Sequence, residues 1–407
     1  MSHIKTIAVI GGGAAGFFGA IACAEANPHC RVIILEKVRQ LLAKVRISGG
    51  GRCNVTHACF DPAALVKNYP RGNKELRSAF SRFQPQDTIH WFEKNGVTLK
   101  VEEDGRMFPI TDSSETIIAC LLEQARKHHV EIWTERGVVN CERKDDQYVL
   151  TLSNEEILVC DKLLVASGSA PKVALWLQKL GHTVVPPVPS LFTFNIPNSP
   201  LHSLAGISVP KAKLTLETCS LQQTGPLLIT HWGFSGPAVL KLSAWGARDL
   251  FAQNYRCPLK INWLPDVSAE ELKQQLSNYR TSHPTRLVSG DPPVAIPKNL
   301  WKAFMEMIGV PPELRWTALS KVLTQKILDI LHQSIFQIDG KSTYKDEFVT
   351  SGGVKLQEVD FKTMQSRLCP GLYFAGEVLD IDGVTGGFNF QNAWTTSWIA
   401  GNAMAQD

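Results

Sequence analysis

Thr6-Ile7-Ala8-Val9-Ile10-Gly11-Gly12-Gly13-Ala14-Ala15-Gly16, with Val32-Ile33-Ile34-Leu35-Glu36 behind it, decides how this chain is read. A short β-branched run enters a G-x-G-x-x-G turn, an alanine-rich helix follows, and a second apolar strand ends in an acid twenty residues after the last glycine. That order is the dinucleotide-binding βαβ pattern. Gly11 suits the tight turn, Gly13 lets the backbone approach a pyrophosphate, and Gly16 lets the helix pack closely on the strand. The helix N-terminus, opening at Ala14 and Ala15, then faces the phosphates with its partial positive charge. Glu36 is placed to accept hydrogen bonds from a ribose, with Lys37 beside it at the strand end. A glycine-rich turn with no ligand is the bland alternative, against which the correctly spaced acid weighs. Glu36 alone leaves NAD and FAD both open.

Composition bounds the rest. A chain of 407 residues implies two or three domains at roughly 150 residues each. With 44% hydrophobic and 20% charged residues it reads as globular. The net charge of +4 is small and no block of like charges stands out, so no nucleic-acid partner is expected. Ten cysteines without C-x-x-C pairs suggest neither zinc nor a disulfide framework, and no metal site is expected. Reduced thiols in a cytoplasm are the expectation. No run approaches the roughly 18 apolar residues of a membrane span, and the glycines at 11–13 argue against reading the N-terminus as a signal peptide.

A second glycine loop follows: Lys44, then Ser48-Gly49-Gly50-Gly51-Arg52-Cys53-Asn54. It exposes backbone to a flat or phosphorylated ligand, while Arg52 and Asn54 supply directional hydrogen bonds. This long motif resembles the signature of the HI0933-like flavoprotein family, also called the aminoacetone oxidase family of FAD-binding enzymes. Gly105-Arg-Met-Phe-Pro109 and Thr230-His-Trp-Gly-Phe-Ser-Gly-Pro237 with Leu240-Lys-Leu-Ser243 resemble further segments of it. The resemblance implies FAD as cofactor, places Val138 on the adenine side, and puts Ser167-Gly168 at the turn beside the cofactor. The chain departs from the family pattern at 167–180, where a longer loop is cut short. Cys53 and Cys59 are separated by five residues, which turns the second sulfur away from the first on a helix and argues against a redox pair.

Residues 74–95 read as helical, with Pro85 starting a new helix. Asp104-Gly105 reads as a hairpin turn between 97–101 and 106–108, and a capped helix follows Ser113 or Ser114. Strands are expected at 130–133, 138–139, 148–152 and 162–166, and Pro186-Pro-Val-Pro189 marks a domain exit. From 191 to 263 the pattern is alternating and turn-rich, whereas 264–332 shows helical spacing.

Near the C-terminus, Gly376-Glu377 resembles the flavoprotein element whose acid contacts the ribityl or phosphate region. Gly386-Gly387 then opens an apolar helix from Asn389 and Phe390 onward, whose N-terminal amides suit the anionic edge of a reduced flavin.

The expected fold is α/β: a Rossmann-like FAD-binding domain of the two-dinucleotide-binding-domain flavoprotein type, built from 1–190 and 346–407. An inserted β-barrel-like domain spans 191–263 and 333–345 and carries a helical subdomain, 264–332. Function is expected where the inserted part covers the flavin. The expected activity is a flavin-dependent oxidoreductase, with reduction of an activated C=C bond of a small or medium organic substrate preferred. An amine oxidase acting on an aminoacetone-like substrate is the alternative, and an FAD protein acting on RNA a third. No second G-x-G-x-x-G follows residue 130, so NAD(P)H as a transient visitor or an electron-donor protein is the expected electron source. Arg52 and His231 are the candidates to orient or protonate a substrate carbonyl.

Overall fold

In the computed structural model, residues 4–342 and 349–406 are described. Part of the expected 333–345 segment and the 345/346 boundary lie outside the described residues. The chain divides into two compact units, one from 1–189 with 345–407 and the other from 190–344.

The first unit is organised on Thr6–Ile10, whose Ile7, Ala8, Val9 and Ile10 are buried on both faces, as a central parallel strand requires. It pairs in parallel with Arg31–Leu35 on one side and Lys162–Val165 on the other. Glu131–Trp133 extends one edge in parallel and Leu372–Phe374 the other, the latter followed by antiparallel Gln365–Ser366 and Val359–Asp360. The chain thus contributes a central strand from its last 40 residues. The helix Ala14–Ala26 packs on the C-terminal helix Phe388–Ala405 with almost no side chain between them. A Cβ on Gly401 would stand 2.5 Å from the Gly19 carbonyl oxygen. Small residues on both helices permit that approach.

Two small antiparallel sheets flank this core. Leu99–Val101 and Arg106–Pro109 form the expected hairpin, which Thr56–His57 joins. Val138–Lys144, Gln147–Leu152 and Ile157–Cys160 form the other. The proline-rich run lies in Val184–Ser190, one strand of a two-stranded ladder, where missing N–H groups are tolerated.

The second unit holds a seven-stranded antiparallel sheet. Its two end strands, Ser334–Asp339 and Lys341–Ser342, are separated in sequence only by Gly340. The sheet therefore curls until its edges are adjacent, giving the barrel-like form. Its inward residues, among them Phe194, Leu214 and Phe336, share one hydrophobic core with Trp301, Phe304, Trp316 and Leu331 from the helical stretch.

Candidate functional site

The opening turn has the geometry its glycines foretell. Gly11 adopts φ +111°, and a Cβ there would stand 2.5 Å from the Ala166 carbonyl oxygen. A Cβ on Gly16 would stand 1.8 Å from the Gly11 carbonyl oxygen, so helix and strand meet backbone to backbone. Gly13 is different: a Cβ would meet nothing within 4 Å. The helix that starts at Ala14 has no side-chain cap and no acid in its first turn. No side chain caps its first N–H groups, and the positive helix end stands behind them.

Around this turn the structure gathers residues from distant parts of the chain. Glu36 accepts from the Gly12 amide at 2.7 Å and from the Val38 amide at 3.1 Å. A Cβ on Gly137 would lie 2.8 Å from that of Lys37, which brings Val138 beside this strand end. Lys44 donates to Glu377 at 2.5 Å, and a Cβ on Gly168 would lie 3.4 Å from the same carboxylate. Ser167 abuts Gly11, and Gly376 sits against Ala15. Lys44, Gly168 and Glu377 thus form one cluster, although the first and last are 333 residues apart.

The second glycine loop ends the helical stretch Ala43–Gly51 with a kink: Gly49 and Gly50 are left-handed. Gly50 faces open space, whereas Gly49 backs onto Phe108. Cys53 is fully buried, and burial pushes its thiol up to about 12, so it is no thiolate nucleophile. Asn54 ties this loop to the C-terminal helix, its amide donating to the Thr56 carbonyl and accepting from the Gly387 amide, both at 3.0 Å.

Gly387, at φ +90°, caps Phe388–Ala405 with no side-chain cap and no acid in the first turn. A Cβ there would lie 2.5 Å from the Thr56 carbonyl oxygen and 2.9 Å from the Asn54 side chain, and Gly386 is also at positive φ. The Asn389 side chain grips the Gly383 backbone, accepting at 2.8 Å and donating at 2.9 Å, while Phe390 stacks on Trp394. Gln391 escaped the sequence reading. It is buried and accepts from Thr56 and from Thr88, anchoring the helix end. An isolated Gln in an apolar helix gives no local sign of partners more than 300 residues away.

Arg52 and His231 belong to different units. The Arg52 guanidinium donates to Glu102 at 2.6 Å and to Asp112 at 3.4 Å, and lies 4.0 Å over the Phe108 ring. It holds the glycine loop rather than reaching outward. His231 belongs to the second unit, exposed in the turn that Thr230 closes through Gly233.

A sequence profile of the HI0933-like protein Rossmann domain matches residues 5–403. The chain belongs to the HI0933-like family. As a member it is an FAD-dependent oxidoreductase with a Rossmann-like FAD-binding fold. The chain is 32% identical to the ribosomal RNA dihydrouridine synthase of Escherichia coli (strain K12), covering 98% of this chain and 96% of that one. It is 27% identical to a 3-dehydro-bile acid delta(4,6)-reductase of Clostridium scindens, over 99% and 100% of the two chains. The solved 3-ketosteroid-delta4-(5alpha)-dehydrogenase of Rhodococcus jostii RHA1 shares the fold, with a TM-score of 0.55 at 12% identity over 100% of this chain and 98% of that one.

The HI0933-like site fits FAD on its own geometry. Two uncapped helix N-termini without first-turn acids, at Gly13 and Gly387, are what a pyrophosphate and an electron-rich ring edge require. The open space over Gly13, Gly50 and Gly51 admits a ligand in contact with backbone. Among the described residues no cluster suited to a metal ion is present, and no helix is long and apolar enough to cross a membrane.

Proposed function

We propose that this enzyme saturates a carbon–carbon double bond conjugated to a carbonyl, and that its substrate is uridine in ribosomal RNA. The observation that carries the proposal is the 32% identity, over almost the whole of both chains, to a ribosomal RNA dihydrouridine synthase. Converting uridine to dihydrouridine saturates a double bond conjugated to the C4 carbonyl. The name of the Clostridium relative specifies reduction of double bonds too, in a bile acid carrying a ketone. Both point to one reaction class.

FAD, when bound, supplies two-electron hydride chemistry. We assign the pyrophosphate to the amides of Gly13, Ala14, Ala15 and Gly16, and the adenosine to Glu36, Lys37 and Val138. The ribityl region falls to Lys44, Ser167, Gly168, Gly376 and Glu377. The ring falls to Gly49, Gly50, Cys53, Asn54 and the helix end at Gly386, Gly387, Asn389 and Phe390. At that end the helix dipole stabilises negative charge, and no first-turn acid opposes it. Arg52, held by two carboxylates, fixes the loop. His231, exposed in its turn, is the proton donor we propose for the carbon beside the carbonyl. NAD(P)H or a donor protein supplies the electrons, and the reducing cytoplasm suits the ten free thiols.

The small net charge of the whole chain weighs against nucleic acid less than it first suggests. Residues 190–342 carry fifteen Lys and Arg against ten Asp and Glu, so the second unit holds the positive excess. A free conjugated ketone is the second reading, favoured by the bile-acid relative. Incubating dithionite-reduced enzyme anaerobically with unmodified ribosomal RNA, and separately with a conjugated steroid ketone, distinguishes them. Flavin reoxidation by the RNA with a gain of two hydrogens in a uridine supports the first reading. Reoxidation by the ketone alone supports the second, and reoxidation by neither removes both.

A further inference from the structure

Residues 68–72 strap down the loop that leads into the C-terminal helix. The Val384 amide donates to the Asn68 carbonyl at 2.9 Å. Tyr69, wholly buried, donates its hydroxyl to the Phe388 carbonyl at 2.6 Å, within the first turn of the helix. Arg71 forms an isolated antiparallel bridge with Asp382 and forks its guanidinium onto that carboxylate, Nε to Oδ1 at 2.5 Å and Nη2 to Oδ2. Gly72 lies so close to Ile381 that a Cβ would stand 2.5 Å from its side chain.

The ion pair is the unusual member of this set. Asp382 is 0% exposed and the Arg71 side chain 13%. Removing a carboxylate from water this completely is costly unless a cation meets it with matched, forked geometry. The buried charge also stands in a sensitive place, four and five residues before Gly386 and Gly387, on the loop whose end opens the helix N-terminus. A negative charge there offsets the positive end of the helix dipole that a reduced ring would use, and Arg71 counters it.

We propose that Arg71 is a positioning residue of the flavin site, which neutralises Asp382 and so holds the reduction potential of the bound flavin up. The inference rests on the reading that the flavin ring lies at this helix end. Adding electrons to the ring adds negative charge, and a carboxylate that has lost the Arg71 guanidinium disfavours that, whereas a neutral side chain at 382 favours it. A strap that served only to hold the fold would give no such opposition of sign.

The test measures the midpoint potential of bound FAD, by equilibration with a reference dye, in holoenzyme carrying Arg71→Met, Asp382→Asn or both. Flavin content and thermal unfolding are recorded for each. Arg71→Met is expected to shift the potential negative, Asp382→Asn to shift it positive, and the double variant to return it close to the wild type. Should Arg71→Met not fold, Asp382→Asn decides alone. An unchanged potential in a loaded single variant, or shifts of the same sign in both, overturns the proposal. Hydrogen exchange of the wild type with and without FAD tests the underlying reading separately. Slowed exchange at Phe388, Asn389 and Phe390 on loading supports the ring position, and no slowing removes that reading whatever the potentials do.

Discussion

Gly13→Ala separates a phosphate-binding glycine from a structural one. Gly13 has φ −96° and ψ −171°, extended backbone that any residue adopts, and a methyl there meets nothing within 4 Å. For the protein without cofactor, restricting the unfolded chain contributes about 0.4–1 kcal/mol of stability. Alanine is a poorer N-cap than glycine by a comparable amount. The two offset each other, so the unfolding temperature of the apoprotein should move by no more than about 2–4 °C. Binding should behave otherwise, because the methyl occupies the space through which the pyrophosphate approaches the amides. Loss of one charge-assisted hydrogen bond is worth about 1.5–3 kcal/mol, or roughly 10- to 150-fold in Kd. Titrating apoprotein with FAD while following quenching of flavin fluorescence gives the Kd, and a thermal scan of the same preparation gives the stability. An affinity unchanged from wild type would refute the assignment of this turn to the pyrophosphate. Gly16→Ala is the control, since its methyl would lie 1.8 Å from the Gly11 carbonyl oxygen and should prevent folding.

Other residues give sharper local tests. His231→Ala should retain FAD and undergo reduction normally yet lose substrate turnover, and full activity would remove it from the mechanism. Native Cys53, fully buried and with its thiol pushed up to about 12, should resist iodoacetamide, and rapid alkylation would contradict that. His182 is buried between Glu358 and Ser366, each at 3.0 Å, and burial pulls it below its ordinary value of 6.5. The unfolded chain therefore takes up a proton first as pH falls. The contribution of His182 to stability is complete above pH 6.5 and is lost as pH drops below it. Urea unfolding across that range should show the decline, and His182→Gln should make it shallower; an identical pH dependence in the variant contradicts the reasoning.

The parts of the fold that sequence made legible are those with local causes. The βαβ turn is written in consecutive residues: β-branched strand, three glycines, small helix residues and a spaced acid. The hairpin at Asp104-Gly105 and the cap at Ser113, which accepts from the Glu115 amide, are equally local. What escaped was long-range. Nothing near Arg71 announces that Asp382 is its partner, and Gln391 shows its task only when Thr56 and Thr88 arrive from elsewhere. Arg52 was legible as a polar side chain in a glycine loop, but its commitment to Glu102, Asp112 and Phe108 depends on how the small sheet folds back. The helix Pro237–Trp245 also went unread, because a short apolar run without clear amphipathic spacing gives periodicity little to act on.

The most direct test of the account is nucleoside mass spectrometry of ribosomal RNA from cells with and without this gene. A dihydrouridine present with the gene is expected to be missing without it, and purified FAD-loaded protein with an electron donor is expected to restore it in the isolated RNA. Ribosomal RNA identical in dihydrouridine with and without the gene would contradict the account.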